Sequence, residues 1–146
     1  MTERTVIQSV TQRPTITTSA QTNVYQAACL MTKGNRGSVL IVDPAGALIG
    51  IFTERDLMTR VVAKALDPEK TTLFDVMTKN PRSITPDVTV ADAVLLMVEH
   101  GFRHLPVLSA TGAIIGVFSM RDASPREISE ADSLAEYLDK INDAPA

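Results

Sequence analysis

Gly46-Ala47-Leu48-Ile49-Gly50-Ile51-Phe52-Thr53-Glu54-Arg55-Asp56 returns downstream as Gly112-Ala113-Ile114-Ile115-Gly116-Val117-Phe118-Ser119-Met120-Arg121-Asp122, an offset of 66 residues. Seven of the eleven positions are identical, and Thr53 and Ser119 both carry a hydroxyl. The same offset pairs Val24 with Val90, Ala27 with Ala93 and Met31 with Met97. This period is longer than a solenoid repeat. Half of a 146-residue chain buries too little surface to be stable alone. The pattern therefore predicts two copies of one supersecondary unit, packed as a pseudo-symmetric pair that shares a core.

Working outward, each copy reads as β-α-β-β-α. A short extended piece opens it, Thr15 to Thr18 and then Ser83 to Thr85. A helix follows, from about Val24 to Lys33 in the first copy, closed by Gly34. In the second copy Thr89-x-x-Asp92 reads as an N-terminal cap, Val90, Ala93, Val94, Met97 and Val98 share one face, and Gly101 closes the helix. Two β-branched runs then flank a four-residue turn: Ser38 to Val42 and Ala47 to Phe52, Leu105 to Leu108 and Ala113 to Phe118. Such turns containing glycine predict hairpins. The first closing helix has room from Glu54 to about Leu66. The second meets Pro125, which would cost roughly 3 kcal/mol in a helix interior, so a short closing helix is expected. A fresh helix is expected near Ser129-x-x-Asp132, with Leu134, Leu138 and Ile141 on one face. Leu73 to Met77 reads as one helical turn joining the copies. The first ten and last few residues read as poorly anchored.

Composition bounds the function. Hydrophobic residues are 45% and charged residues 21% of the chain, ordinary globular values. The longest unbroken apolar run, Ala93 to Val98, has six residues, against roughly 20 for a membrane-spanning helix. No apolar block follows the start, so a secretory signal is not expected and a cytoplasmic location is. A net charge of −3 argues against non-specific nucleic-acid binding. The single cysteine, Cys29, reads as a reduced, buried thiol. His100 and His104 stand outside any metal-ligand spacing, and no metal site is predicted. Nucleophile motifs, a P-loop lysine and paired catalytic carboxylates are absent, so no catalytic residue is assigned.

The G-x-x-[TS]-x-x-D junctions, the connector Asp75-Val76-Met77-Thr78-Lys79-Asn80-Pro81 and the run Arg103-His104-Leu105-Pro106-Val107 together resemble a tandem cystathionine-β-synthase (CBS) domain pair, the Bateman module. The fold class is α/β (α+β). Repeat one is assigned to 9–66, a connector to 67–80, repeat two to 81–125 and a C-terminal helical extension to 126–146. The resemblance implies clefts between the repeats, regulatory binding of adenosine-containing ligands, and dimerisation through the helices.

Thr53 and Ser119 stand where a strand ends and a helix begins. A hydroxyl there caps the helix or donates to a phosphate, which the positive helix end favours. Asp56 and Asp122, three residues on, lie on the same side, where a carboxylate can accept both ribose hydroxyls. The competing reading is a plain capping box. The resemblance adds Arg103, His104 and Pro106 before the second strand, the basic pair facing phosphate. Repeat one has Gly37 and Ser38 at the matching places with Arg36 just upstream, so the two sites are not expected to be equivalent. Arg55 and Arg121 either reach phosphate or lie on a solvated helix face. For adenine the resemblance points to Ile16 and Thr17 in repeat one, and to Ser83 and Ile84 in repeat two. The expected ligand is AMP, ADP or ATP, the latter with or without Mg²⁺, and no cofactor is required. S-adenosylmethionine and NAD use the same ribose logic. The expected partners are a second copy of the chain and a separate client protein. The alternative is a ligand-free dimerisation or interaction scaffold.

Overall fold

The repeated stretch forms the second strand of a hairpin in each copy. In the computed structural model, which describes residues 3–10 and 14–142, β2 (Ser38–Val42) runs antiparallel to β3 (Leu48–Thr53), and β5 (His104–Leu108) pairs with β6 (Ile114–Ser119). The first turn closes because Asp43 Oδ1 accepts the amides of Ala45 and Ala47, both at 2.9 Å, while Gly46 takes φ 87°. Gly112 takes the same φ in the second turn, a region that side-chain-bearing residues avoid. Leu40, Ile41 and Phe52 are buried in one copy, and Leu105, Val107 and Phe118 in the other. Full burial of each such side chain is worth about 1.5–3 kcal/mol.

Two further strands complete the first sheet. β1 (Thr17–Thr18) lies parallel to β2, and β4 (Thr78–Lys79) antiparallel to β3, giving the order β1-β2-β3-β4. The sequence reading contained no counterpart of β4. In the second copy Ile84 makes a parallel bridge to Val107.

Helices α2 (Val24–Gly34) and α5 (Val90–His100) start on the expected residues. Asn23 Oδ1 accepts the Gln26 amide at 2.8 Å, and Thr89 Oγ1 accepts the Asp92 amide at 3.1 Å. Gly101 ends α5 as expected, at φ 75°, but α2 runs through Gly34 and Asn35 takes the left-handed cap position instead. Asparagine tolerates that conformation better than other non-glycine residues. Cys29 is exposed rather than buried. Val24, Ala27 and Met31 take the inward face of α2, which leaves Cys29 on the outer face against the Tyr25 hydroxyl one turn earlier.

The closing helices diverge. In repeat one α3 (Glu54–Asp56) continues as a π-helical segment, Leu57–Val62, with the Ala63 amide bonded to the Met58 carbonyl at 2.9 Å. It stops short of the expected Leu66, and Ala65 turns the chain with φ 56°. In repeat two only a 3-10 turn, Met120–Asp122, is formed. The next helix, α6 (Pro125–Asn142), begins at Pro125 and not near Ser129. Ser124 and Glu127 explain the start. The Ser124 amide donates to Glu127 Oε1 at 2.8 Å and the Glu127 amide to Ser124 Oγ at 3.2 Å, and proline suits the first helical position. Ala131 and Ala135 form the buried face of α6 against α5. Leu134 and Ile141, read as sharing one face with Leu138, lie away from that packing at 44% and 52% exposure.

The chain divides into two compact units, residues 14–82 with 110–114, and residues 3–10, 83–109 and 115–142. Each has its own buried cluster rather than a share in one. Each core is closed by an added segment. The Leu73 and Phe74 amides donate to the Thr22 and Ala20 carbonyls at 2.9 and 3.0 Å, and the Val24 amide to the Thr71 carbonyl at 2.9 Å. This docks α4 (Leu73–Val76), the predicted joining turn. The second unit repeats the pattern with residues from the other end of the chain. The Val6 and Ile7 amides donate to the Val88 and Pro86 carbonyls at 2.9 and 3.3 Å, and the Val90 amide to the Arg4 carbonyl at 2.7 Å. α1 (Ile7–Val10) follows, with Val6 and Val10 in the core. Residues 4–10 are thus firmly docked, contrary to the expectation for the first ten residues. The last residues, 143–146, lie outside those described. No helix among the described residues is long and apolar enough to cross a membrane.

Candidate functional site

Both strand-to-helix junctions use their hydroxyl and carboxylate as a reciprocal cap. Asp56 Oδ2 accepts the Thr53 amide at 3.0 Å, and Thr53 Oγ1 accepts the Asp56 amide at 3.2 Å. Asp122 Oδ2 accepts the Ser119 amide at 2.9 Å, and Ser119 Oγ accepts the Arg121 amide at 3.3 Å. The capping geometry is therefore real, and it occupies one oxygen of each carboxylate. The second oxygen distinguishes the two junctions.

In repeat one Asp56 Oδ1 faces Arg60 Nε at 3.5 Å, one turn along the helix, and Arg60 Nη1 is anchored on the Val76 carbonyl at 3.0 Å. Asp56 is also buried, with 9% of its surface exposed. In repeat two Asp122 is half-buried, and its Oδ1 accepts no hydrogen bond among the described residues. An unneutralised carboxylate oxygen that still reaches solvent is a ready acceptor for a pair of hydroxyls.

The backbone brings the basic pair to the same place. The Met120 amide donates to the Arg103 carbonyl at 3.0 Å, as the Glu54 amide does to the Gly37 carbonyl in repeat one. Arg103 and His104 therefore adjoin Ser119–Asp122, and Gly37 and Ser38 adjoin Thr53–Asp56. Arg103 and Arg121 are exposed, and neither guanidinium is bonded to a described residue. His104 is half-buried and Pro106 buried. In repeat one Arg36 is half-buried and Arg55 exposed, and both have partners. Among the described residues, repeat two thus carries two uncommitted cations on the backbone segments that adjoin one uncommitted carboxylate oxygen, whereas in repeat one Arg60 faces the equivalent oxygen.

The strands proposed to border adenine are placed by their ladders. Thr17 lies opposite Leu40 and Thr18 opposite Ile41, while Ile84 lies opposite Val107, which is the repeat equivalent of Ile41. Ile84 therefore matches Thr18, and Ser83 matches Thr17, a shift of one residue from the pairing expected. Ile84 gives its amide to the Pro106 carbonyl and accepts the Leu108 amide, both at 2.9 Å, so its backbone is fully used. Ser83, next to it in the chain, is exposed; in repeat one Thr17 is exposed and Ile16 half-buried. Among the described residues no group of histidine, cysteine and carboxylate side chains is placed to hold a metal ion. A groove between α5 and α6 is lined by Glu99, Asp132, Glu136 and Asp139, a set that repels phosphate.

Three residues at the junctions escaped the sequence reading: Arg60, Arg4 and Glu127. Arg60 was legible as the i+4 partner of Asp56. Glu127 was legible in Ser124-x-x-Glu127. Arg4 required noticing that Thr5-Val6-Ile7 matches Thr72-Leu73-Phe74 at an offset of 67, one more than the period of the hairpins.

The sequence model of the CBS domain matches residues 7–63 and 73–124. The chain is 34% identical to the meiotically up-regulated gene 70 protein of Schizosaccharomyces pombe over 94% of its own length, and spans only 20% of that protein. It is 33% identical to an uncharacterized protein of Methanopyrus kandleri, covering 92% of this chain and 68% of that one. Among solved structures, a putative signal-transduction protein with CBS domains from Burkholderia ambifaria shares 34% identity at a TM-score of 0.75, covering 81% of this chain and 89% of that one. The CBS domain pair of protein MJ0100, in complex with 5′-methylthioadenosine and S-adenosyl-L-methionine, shares 26% identity at a TM-score of 0.72, covering 90% and 98%. The duplicated helix and hairpin, the repeated junction that follows each hairpin and these matches together place the chain in the CBS-domain family, as a tandem CBS pair.

Proposed function

We propose that the chain is a regulatory module that senses an adenosine-containing nucleotide, AMP, ADP or ATP, and that the junction of repeat two is its principal site. The observation that carries this reading is the trio of Asp122, Arg103 and Arg121. A carboxylate oxygen without a partner suits ribose hydroxyls, and two guanidinium groups without a carboxylate suit phosphate. His104 and the Ser119 hydroxyl border the phosphate side, and the edge at Ser83 and Ile84 borders the base. At repeat one, Arg60 competes with ribose for Asp56, so Thr53, Asp56, Ile16 and Thr17 form a weaker site. Two CBS-pair structures support the ligand class, MJ0100 by its adenosine-containing ligands and a Pyrobaculum aerophilum CBS protein by its complex with AMP. The output passes to a separate client protein or through self-association as a homodimer. Exposed Met58 and Val62 on one helix, with Leu66 just beyond it, and Leu134, Tyr137 and Ile141 on another offer apolar surface for either.

The test is calorimetric titration of nucleotide-stripped protein with AMP, ADP, ATP, S-adenosylmethionine and NAD. One tight site per chain for an adenine nucleotide is expected. Asp122→Ala should abolish it, while Asp56→Ala should leave it in place. Binding that survives Asp122→Ala overturns the site, and a flat titration across the panel overturns the sensor reading in favour of a ligand-free scaffold.

A further inference from the structure

Arg4 lies where three pieces of the repeat-two unit meet. Its own carbonyl accepts the first amide of α5, from Val90, at 2.7 Å. Its Nη2 donates to the backbone carbonyl of Asp122 at 2.9 Å and to Glu127 Oε1 at 2.8 Å. Its Nη1 donates to Ser9 Oγ at 3.1 Å. Glu127 Oε1 is also the atom that accepts the Ser124 amide and so caps α6. One guanidinium therefore bonds the residue assigned to ribose, the cap that starts the longest helix, and the segment that closes the core. Among the described residues repeat one has no such arrangement: Arg60 binds the Asp56 carboxylate itself and then a carbonyl before β4.

We propose that Arg4 is a positioning residue that couples ligand occupancy at Asp122 to the docking of α6, making α6 the output element of the nucleotide site. This rests on the reading that repeat two binds a nucleotide. Ligand hydroxyls on Asp122 Oδ1 fix the 3-10 turn Met120–Asp122. The carbonyl of that turn then holds the Arg4 guanidinium in line with Glu127. Only Ala123 and Ser124 separate Asp122 from α6, so the constraint reaches the first turn of the helix directly. The tie is reciprocal. Whatever factor the ligand contributes to α6 docking, a docked α6 contributes to ligand affinity.

Hydrogen exchange on the full chain, without nucleotide and with saturating AMP, ADP or ATP, tests this. Nucleotide should slow exchange of the α6 amides between Glu127 and Ala135 by about fivefold or more. In Arg4→Ala that nucleotide-dependent step should vanish, and affinity should weaken by a similar factor. Glu127→Gln, which keeps a cap acceptor for Ser124 and loses the charge facing Arg4, should behave alike. A purely structural Arg4 would raise exchange throughout the unit and leave the nucleotide-dependent step on α6 intact, and that result overturns the proposal. So does a wild-type α6 that ignores bound nucleotide. If calorimetry shows no nucleotide bound, the sensor reading falls with it, a result distinct from binding without a response in α6.

Discussion

A Cβ added at Gly50 would meet Met77 Sδ at 2.5 Å, because the side chain of the residue that follows α4 lies against β3 there. Glycine is favoured there by close approach, not by its φ, since any Cβ obliges the Met77 side chain to move. Gly50→Ala should destabilise the protein by about 1–3 kcal/mol, read from denaturant midpoints at unchanged m-value. Trimming the neighbour in the double variant with Met77→Ala should cost less than the two single losses summed. The repeated stretch announced this residue as Gly50 and Gly116 without saying why. It likewise announced Asp56 and Asp122 as equals. Their difference lies in what lies beside them: Arg60 on the same helix, and a guanidinium carried to Asp122 from a distant part of the chain. Periodicity reports which residues share a face, and it is silent about a partner contributed by a remote segment.

Among the elements, the hairpins and α2 and α5 were readable because each carries its own punctuation, a turn glycine or a capping side chain next to an apolar period. The closing helices were harder, since a helix can stop for reasons set by its packing. α6 shows the opposite case. Its start was encoded in Ser124, Pro125 and Glu127, but Ser129-x-x-Asp132 offered a second cap signal downstream, and the packing face is made by Ala131 and Ala135, whose small side chains give a weak apolar period. The cap has a pH signature. Partial burial works against ionisation of Glu127, but the Ser124 amide, the Arg4 guanidinium and the Ser124 hydroxyl outweigh it and hold its carboxyl below the usual glutamate range. A lowered pKa in the folded state contributes stability that is complete above the ordinary glutamate pKa and is lost as pH falls through the lowered one. Exchange protection at the start of α6 should therefore decline with acid in that window. Glu127→Gln should flatten the decline.

On the scale of the whole molecule, the 66-residue offset identified the two repeats, and the units that fold are not those repeats taken in chain order. Arg4–Val10 precedes the strands of repeat one, overlapping the start of the 9–66 assignment, and closes the repeat-two unit, with Val6 fully buried and Val10 at 5% exposure. Val6→Ala should therefore cost about 1.5–3 kcal/mol. The loss should fall on exchange protection in α5, β5 and β6 and spare α2, β2 and β3. Equal loss in both sets would show one cooperative block. The docking was missed because the segment is short, with only Val6, Ile7 and Val10 apolar, so its hydrogen bonds to residues 86–90 are what reveal its place.

That placement has a consequence for how the chain is made. Repeat one has its strands, helices and closing segment within residues 14–82, so it has these parts as soon as the connector has left the ribosome. Repeat two depends on Arg4–Val10, which is synthesised ahead of repeat one and must stay unpaired while about 80 further residues are added. Contacts of such long sequence separation form slowly. Val6, Ile7 and Val10 are therefore left exposed while those residues are added. It is during synthesis, more than in the finished protein, that a chaperone or a neighbouring nascent chain would find them.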